Sequence, residues 1–150
     1  MRYGILVGAS VLGIMTPALV SAQKAPINLG VLTCTFVKPA QDTTQKMTCG
    51  FKPTGSGAEE KYSGHIRESG QDLPAGKVVL IWAVRGPADG KIVAGSLSQR
   101  YVKDQGAAAQ APMLVGETNP SIVLQSETND GAATYDSIIR MELKLTGTAA

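Results

Sequence analysis

The chain has few side chains suited to catalysis or metal binding. Among its 150 residues there is one histidine, His65, and two cysteines, Cys34 and Cys49. A hydrolase triad needs a histidine to carry protons, and a structural zinc site needs four nitrogen or sulfur ligands. There is also no phosphate-binding glycine loop ahead of a helix and no H-E-x-x-H motif. We therefore predict a protein that is not an enzyme, with no catalytic residues, no metal and no cofactor.

The carboxylates show no spacing typical of an active site. Most lie where turns are predicted, and turns favour aspartate for backbone reasons. They include Glu59, Glu60, Asp72, Asp89, Asp104, Glu117, Asp130 and Asp136. A pair brought together by the fold would permit glycoside chemistry. An enzyme acting on envelope polymers is therefore retained as a less favoured hypothesis.

Long apolar runs are absent except at the N-terminus. Arg2 precedes the run GILVGASVLGIMTPALV, and Val20 and Ala22 occupy the small-residue positions of a signal-peptidase site. The run is short of the ~20 residues needed to span a bilayer. We predict a signal peptide over 1–22, cleavage before Gln23, and a periplasmic or secreted protein with a single β domain over 23–150. No later segment of the sequence is expected to cross a membrane as a helix.

Net charge is also small. Without Arg2, 13 of the 14 basic side chains remain against 12 acidic ones. Such a balance gives no electrostatic reason to expect nucleic acid as a partner. The expected partner is instead an envelope component or a small ligand of unknown identity.

The two cysteines lie in GVLTCTF and KMTCGFK, which both read as strands. Cysteines of small exported domains usually pair, whereas redox-active pairs usually take the spacing C-x-x-C. In an antiparallel hairpin with Cys34 opposite Cys49, apolar residues also meet across the strands on the same face. The apolar pairs are Leu32 with Phe51 and Phe36 with Met47. The apolar alternation of the two strands and a bond between the cysteines specify the same register. We therefore predict a structural disulfide between Cys34 and Cys49.

Strand signals continue along the chain. We predict strands at 60–68, 77–85, 92–102, 121–127 and 137–145. The Asp89-Gly90 turn predicts a hairpin between the second and third of these. The strand at 77–85 is apolar on both faces, so we expect it to be the most buried, with Trp82 in the core. In the last strand, alternation places Ile139 inward and Ile138 outward.

These signals predict an all-β fold, an antiparallel sandwich or small barrel of seven or eight short strands with one disulfide. Helical periodicity is confined to at most two turns at 104–111. A transmembrane barrel is disfavoured, because it needs aromatic girdles and only six aromatic residues follow the signal peptide. The sequence does not distinguish the sandwich from the barrel.

Several motifs resemble one family. GVLTCTF, KMTCGFKP, EKYSGHI, GKVVLIWAV, VAGSLSQRYV and LVGETNPSIVLQ occur in this order. Together they are similar to the small exported bacterial proteins of domain of unknown function family 992. The resemblance implies no defined activity. Members of that family have a glycine-rich approach to L-V-G and a glycine-rich tail, where this chain has GAAAQAPM and ETNDGAATYDSIIRMELKL.

The residues do not specify an activity. The preferred hypothesis is an exported, non-catalytic envelope protein with a structural or binding role. The main alternative is a small barrel that carries an apolar ligand, which the doubly apolar strand at 78–84 would permit.

Overall fold

The computed structural model describes residues 26–38, 44–55, 57–68, 76–87, 89, 92–104, 113–127, 135 and 137–148. The predicted signal peptide lies outside these ranges. The helical turns considered at 104–111 also lie outside them, apart from Asp104, which is not helical. No helix among the described residues is long and apolar enough to cross a membrane.

Eight antiparallel strands form a closed barrel, which decides between the two predicted architectures. The strands are β1 (Ile27–Lys38), β2 (Thr44–Pro53), β3 (Glu60–Glu68), β4 (Gly76–Gly86), β5 (Arg100–Lys103), β6 (Met113–Gly116), β7 (Val123–Ser126) and β8 (Ile138–Thr148). Around the barrel their order is β1-β2-β3-β8-β5-β6-β7-β4. The upper end is defined here as the end at which β1 finishes and β2 begins, and the lower end as the opposite one.

The cysteine hairpin has the predicted register. Cys34 lies opposite Cys49 and is bonded to it, with a Cα–Cα distance of 4.1 Å. Leu32 faces Phe51, and Phe36 faces Met47. All six side chains are buried, because alternate residues of both strands point into the barrel. The bridge therefore continues a row of apolar cross-strand contacts.

The barrel interior holds a continuous hydrophobic core. Its largest fully buried side chains are Trp82, Tyr62, Tyr101, Phe51, Leu32, Ile66, Leu80, Leu97, Leu114, Leu124, Ile138 and Met141. Trp82 is in this core, as predicted, and its ring meets that of Tyr135 edge to face at 4.9 Å. The outward face of β4 differs from the prediction, since Val79 is 49% exposed. The outward face of β4 is therefore buried unevenly, because Ala83 on the same face is only 3% exposed.

The prediction of a strand over 92–102 was wrong for most of its length. Only Arg100–Lys103 is a strand, and residues 94–97 form turns. The predicted hairpin with β4 was also wrong, because β4 pairs with β1 and β7 while β5 pairs with β8 and β6. The segment 92–99 instead places the Leu97 side chain in the core.

Two further differences concern β8 and the short strands. The register of the β3–β8 ladder shifts at Arg67/Glu68, so that Ile138 points inward and is fully buried, contrary to the predicted alternation. Strand β6 was not predicted, and β7 is shorter than the 121–127 expected for it. Strands of four residues carry too little alternation to mark their ends.

Candidate binding surface

The described interior is packed with the protein's own side chains. The inward residues of β4, which are Val78, Leu80, Trp82 and Val84, are all buried against the core. Two cavities lined by described residues lie outside this core, one on the outer side of the wall of β1, β2 and β3 and one near the lower end. The structure thus gives the apolar-ligand alternative no support in this part of the chain.

A buried carboxylate organises the lower end of the barrel. Glu60, at the start of β3, is 6% exposed and accepts hydrogen bonds from the Tyr62 hydroxyl at 2.7 Å and the Gly95 N–H at 3.1 Å. Gly95 has φ of 83°, a left-handed conformation that glycine adopts at little cost. Glu60 therefore ties the 92–99 segment to β3, which is a structural role.

Burial, and next the contact with Glu60, raises the pKa of Tyr62 well above its ordinary value near 10. The Tyr62 hydroxyl consequently keeps its proton to higher pH than an exposed tyrosine does. The second core tyrosine behaves in the same way, because burial raises the pKa of Tyr101, whose hydroxyl donates to the Leu97 carbonyl at 3.0 Å.

We predict that Tyr62→Phe lowers the free energy of unfolding by about 1–3 kcal/mol at pH 7, because it removes one of the two donors of the buried Glu60 carboxylate. A raised tyrosine pKa stabilises the fold fully below the unfolded-state pKa of about 10, and this contribution is lost as pH rises toward the folded-state value. The variant should therefore lose less stability than wild type above pH 10.

Urea unfolding at pH 7 and at pH 10 to 11 measures both effects. Ser63→Ala on the same strand is the control and should change stability by less than about 0.5 kcal/mol. A Tyr62→Phe protein as stable as the control at pH 7 would contradict the role given to Glu60.

His65 and Ser63 share the outer face of β3. His65 is exposed and lies between Lys46 of β2 and Glu142 of β8. Among these described residues, no hydrogen bond joins His65 to Ser63 or to Glu142. The Glu142 carboxylate is instead directed to Arg100, at 3.8 Å. The side chains that a proton relay would need therefore lie near one another, but no hydrogen bond links them.

The carboxylates named in the sequence are dispersed. Glu59 pairs with Lys61 at 3.1 Å and Glu117 with Arg100 at 3.7 Å. Asp89 is exposed, while Asp72, Asp130 and Asp136 lie outside the described ranges. Within those ranges, no three His, Cys, Asp or Glu side chains are grouped so as to hold a metal ion.

Charge is segregated between the strands and their surroundings. The outward strand cations are Lys46, Lys52, Lys61, Arg67, Lys77, Arg85, Arg100, Arg140 and Lys144. Within the described strands, the outward carboxylate is that of Glu142, since Glu60 and Glu68 are buried. The other described acids lie in connections. A chain with nearly balanced charge thus presents a basic barrel wall.

The basic side chains are densest where β2, β3 and β8 adjoin. We call the group Lys46, His65, Arg67, Arg140 and Lys144 the basic face. Arg67 and Arg140 lie directly opposite each other across the β3–β8 ladder, and both are exposed. Like charges in that position destabilise a sheet. No described carboxylate pairs with either guanidinium, so this cost is not offset by an ion pair within the described part of the chain.

A groove borders the basic face. It has a volume of about 450 Å³ and lies outside the wall of β1, β2 and β3. We call it the threonine groove, after Thr33, Thr35 and Thr48. Gly50 lacks a side chain, which leaves room for the Glu59 carboxylate, since a Cβ there would lie 2.7 Å from its Oε1. Thr48 pairs with Ser63, and Ser63 with Lys144, so groove and basic face are continuous.

A family model described as "Protein of unknown function (DUF992)" matches residues 13–143. The chain belongs to this DUF992 family. Membership agrees with the resemblance carried by the cysteine hairpin, the W-A-V strand and the L-V-G element. Searches of curated proteins and of solved structures gave no match.

Neither part of this surface was recognised in the sequence. The basic face draws on three strands, and its outermost members, Lys46 and Lys144, are 98 positions apart in sequence. Each strand alternates its charged and apolar positions normally. The signal that was available is the location of the acids, because the sequence places most of them in turns and leaves the strands with basic residues.

Proposed function

We propose that this DUF992 protein is an exported, non-catalytic protein that binds a component of the cell envelope through the outer wall of its barrel. The observation that carries the proposal is the opposed pair Arg67 and Arg140, two exposed guanidiniums without a described carboxylate partner. An uncompensated pair of this kind suits an anionic partner, because guanidinium binds carboxylate or phosphate through two parallel hydrogen bonds.

Two further features support the proposal. The disulfide between Cys34 and Cys49 is typical of proteins in oxidising compartments, where export would deliver this chain. The buried polar groups at the lower end make contacts within the fold, with Glu60 accepting from Tyr62 and Gly95. These features favour a rigid scaffold that acts through its exterior.

The test is sedimentation of the oxidised protein, residues 23–150, with a washed envelope fraction from the producing cells. We expect co-sedimentation at low salt and release by about 1 M NaCl, where the Debye length is about 3 Å. Protein that stays in the supernatant at low salt would contradict the proposal. Progressive release of sugars or peptides from the envelope would instead indicate an enzyme.

A further inference from the structure

The geometry points to a ligand class for this surface: we propose that the basic face and the threonine groove together bind an acidic polysaccharide whose sugar units carry carboxylate groups. This inference rests on the proposed function, which requires an envelope ligand but does not identify one. It combines two neighbouring chemistries, cations for the acid groups and hydroxyls for the sugars.

The cations form a two-dimensional array on the barrel wall. Neighbouring strands lie about 4.8 Å apart, and alternate residues along one strand about 6.8 Å apart. Arg67 and Arg140 are direct neighbours across strands, while Lys46 pairs with His65 in the next outward row. An extended polyanion therefore meets lysine and arginine side chains in succession. A single small anion would occupy the arginine pair alone.

The competing carboxylates are already engaged. Glu142 lies among the basic residues in the β3–β8 ladder, but its Oε2 is 3.8 Å from Nε of Arg100, on the side away from Arg67. Glu59, at the groove, is held by Lys61. The guanidiniums of Arg67 and Arg140 consequently face solvent with their donors available.

The groove supplies what a carbohydrate needs beyond charge. Thr33 and Thr35 line it from β1, and Thr48 lines it from β2 beside Lys52. Each hydroxyl both donates and accepts hydrogen bonds, which matches the hydroxyls of a sugar. The continuous row from Thr48 through Ser63 to Lys144 leads from the groove onto the basic face. One polymer chain can therefore contact both.

The same surface suits bilayers and nucleic acids less well. Anchoring in a bilayer uses exposed apolar or aromatic side chains beside the cations, and single-stranded nucleic acid is bound by stacking on aromatic rings. The described aromatic side chains are buried in the core. Of the exposed large apolar residues, Val37 and Val79 adjoin the threonine groove, since Val37 follows Thr35 on β1 and Val79 pairs with Thr35. None of them lies on β2, β3 or β8, the strands that carry the basic face.

The experiment measures the affinity of the oxidised protein for a fluorescent oligogalacturonate of about eight sugars at low salt. The variant Arg67→Gln/Arg140→Gln should bind roughly ten-fold more weakly, since it removes two charge-assisted contacts. Lys77→Gln/Arg85→Gln removes the same charge from β4, which adjoins β1 but lies across the barrel from the β3–β8 ladder, and should bind within about two-fold of wild type. Arg67→Lys/Arg140→Lys should be intermediate, because lysine keeps the charge but loses the paired hydrogen bonds.

Several outcomes would overturn the inference. These are no binding of the oligogalacturonate by wild type, equal loss in the β3–β8 and β4 variants, or tighter binding of anionic phosphatidylglycerol vesicles or of single-stranded DNA. A further such outcome is a sedimentation velocity result in which wild type self-associates and the arginine substitutions weaken this self-association. The basic face would then bind a second copy of the chain, which would also overturn the inference. Melting temperatures no lower than that of wild type exclude misfolding of the variants, and Arg67→Gln/Arg140→Gln should be slightly more stable because it removes like charges that face each other.

Envelope sedimentation separates this inference from the proposed function. If the Arg67→Gln/Arg140→Gln variant still sediments with the envelope as wild type does, the ligand class and its site are wrong while an envelope-binding role stands. If wild type fails to sediment with the envelope, the proposed function itself fails.

Discussion

Replacement of Gly64 by alanine is expected to lower the free energy of unfolding by at least about 3 kcal/mol, or to prevent folding. An ideal Cβ at this position would lie 1.8 Å from the carbonyl oxygen of Glu142 and 2.9 Å from its carbon. Both are backbone atoms of the paired strand β8. Side-chain rotation cannot relieve the clash, so the two strands would have to separate.

The location of Gly64 explains why the cost should be large. Gly64 lies opposite Leu143 of β8 and Met47 of β2, at the centre of the three-strand wall that carries the basic face. A glycine inside a strand commonly marks a close approach of two backbones or a bend in a barrel. Loss of the β3–β8 ladder would open the barrel and expose its core.

Gly147→Ala is the matched control. Gly147 lies on β8, also pairs with β3, and has nothing within 4 Å of an added Cβ. Its replacement should change stability by less than about 0.5 kcal/mol. Thermal and urea unfolding of both variants measure the difference. If Gly64→Ala has the same free energy of unfolding as the control, the close approach of β3 and β8 does not constrain the fold.

Replacement of Cys34 and Cys49 together by alanine is expected to lower the free energy of unfolding by about 2–5 kcal/mol. The bridge links residues 15 apart, and a loop of that size corresponds to about 3 kcal/mol in the chain-entropy model. Both side chains are almost fully buried, at 0% and 4% exposed, so packing is lost as well. Envelope binding should survive in the folded fraction.

Reduction of the wild type provides the control for the bridge. A thiol reductant under partly denaturing conditions should lower the unfolding midpoint of wild type until it is close to that of the double variant. The same reductant should leave the unfolding midpoint of the double variant unchanged. A double variant with unchanged stability and no envelope binding would reverse the assignment, because the sulfurs would then serve function and not stability.

The hairpin of β1 and β2 was predictable because three independent constraints agree on it. The alternation of both strands, the pairing of apolar residues and the reach of a disulfide allow one register. Strand β3 was predicted for a related reason, since Tyr62, Gly64 and Ile66 alternate with polar residues. Where the local pattern of a strand agrees with its tertiary contacts, the sequence is enough to predict that strand and its register.

The lower end was not predictable, because tertiary contacts there override the local pattern. The stretch 92–102 is rich in strand-forming residues, yet the Gly95 N–H donates to Glu60, and Leu97 packs in the core. Glu60 itself has the alternation of an inward residue, but an acid is a poor candidate for the interior until its donors are known.

The basic face was hidden for a different reason. Arg67 and Arg140 are 73 positions apart in sequence and become neighbours through pairing of β3 with β8, two strands that do not follow each other along the chain. Net charge averages such clusters away. Prediction of the basic face therefore requires the order of strands around the barrel, and no local pattern in this chain encodes that order.

The most direct test of the account is a native mass spectrum of the protein recovered from the envelope of the producing cells without reductant. We expect the mass of residues 23–150, or of its form with pyroglutamate at Gln23, less the two hydrogens lost on joining Cys34 to Cys49, with no small molecule held in the barrel. A protein that retains Met1, carries two free thiols or arrives with a bound apolar ligand would contradict an exported, disulfide-linked barrel that acts through its outer wall.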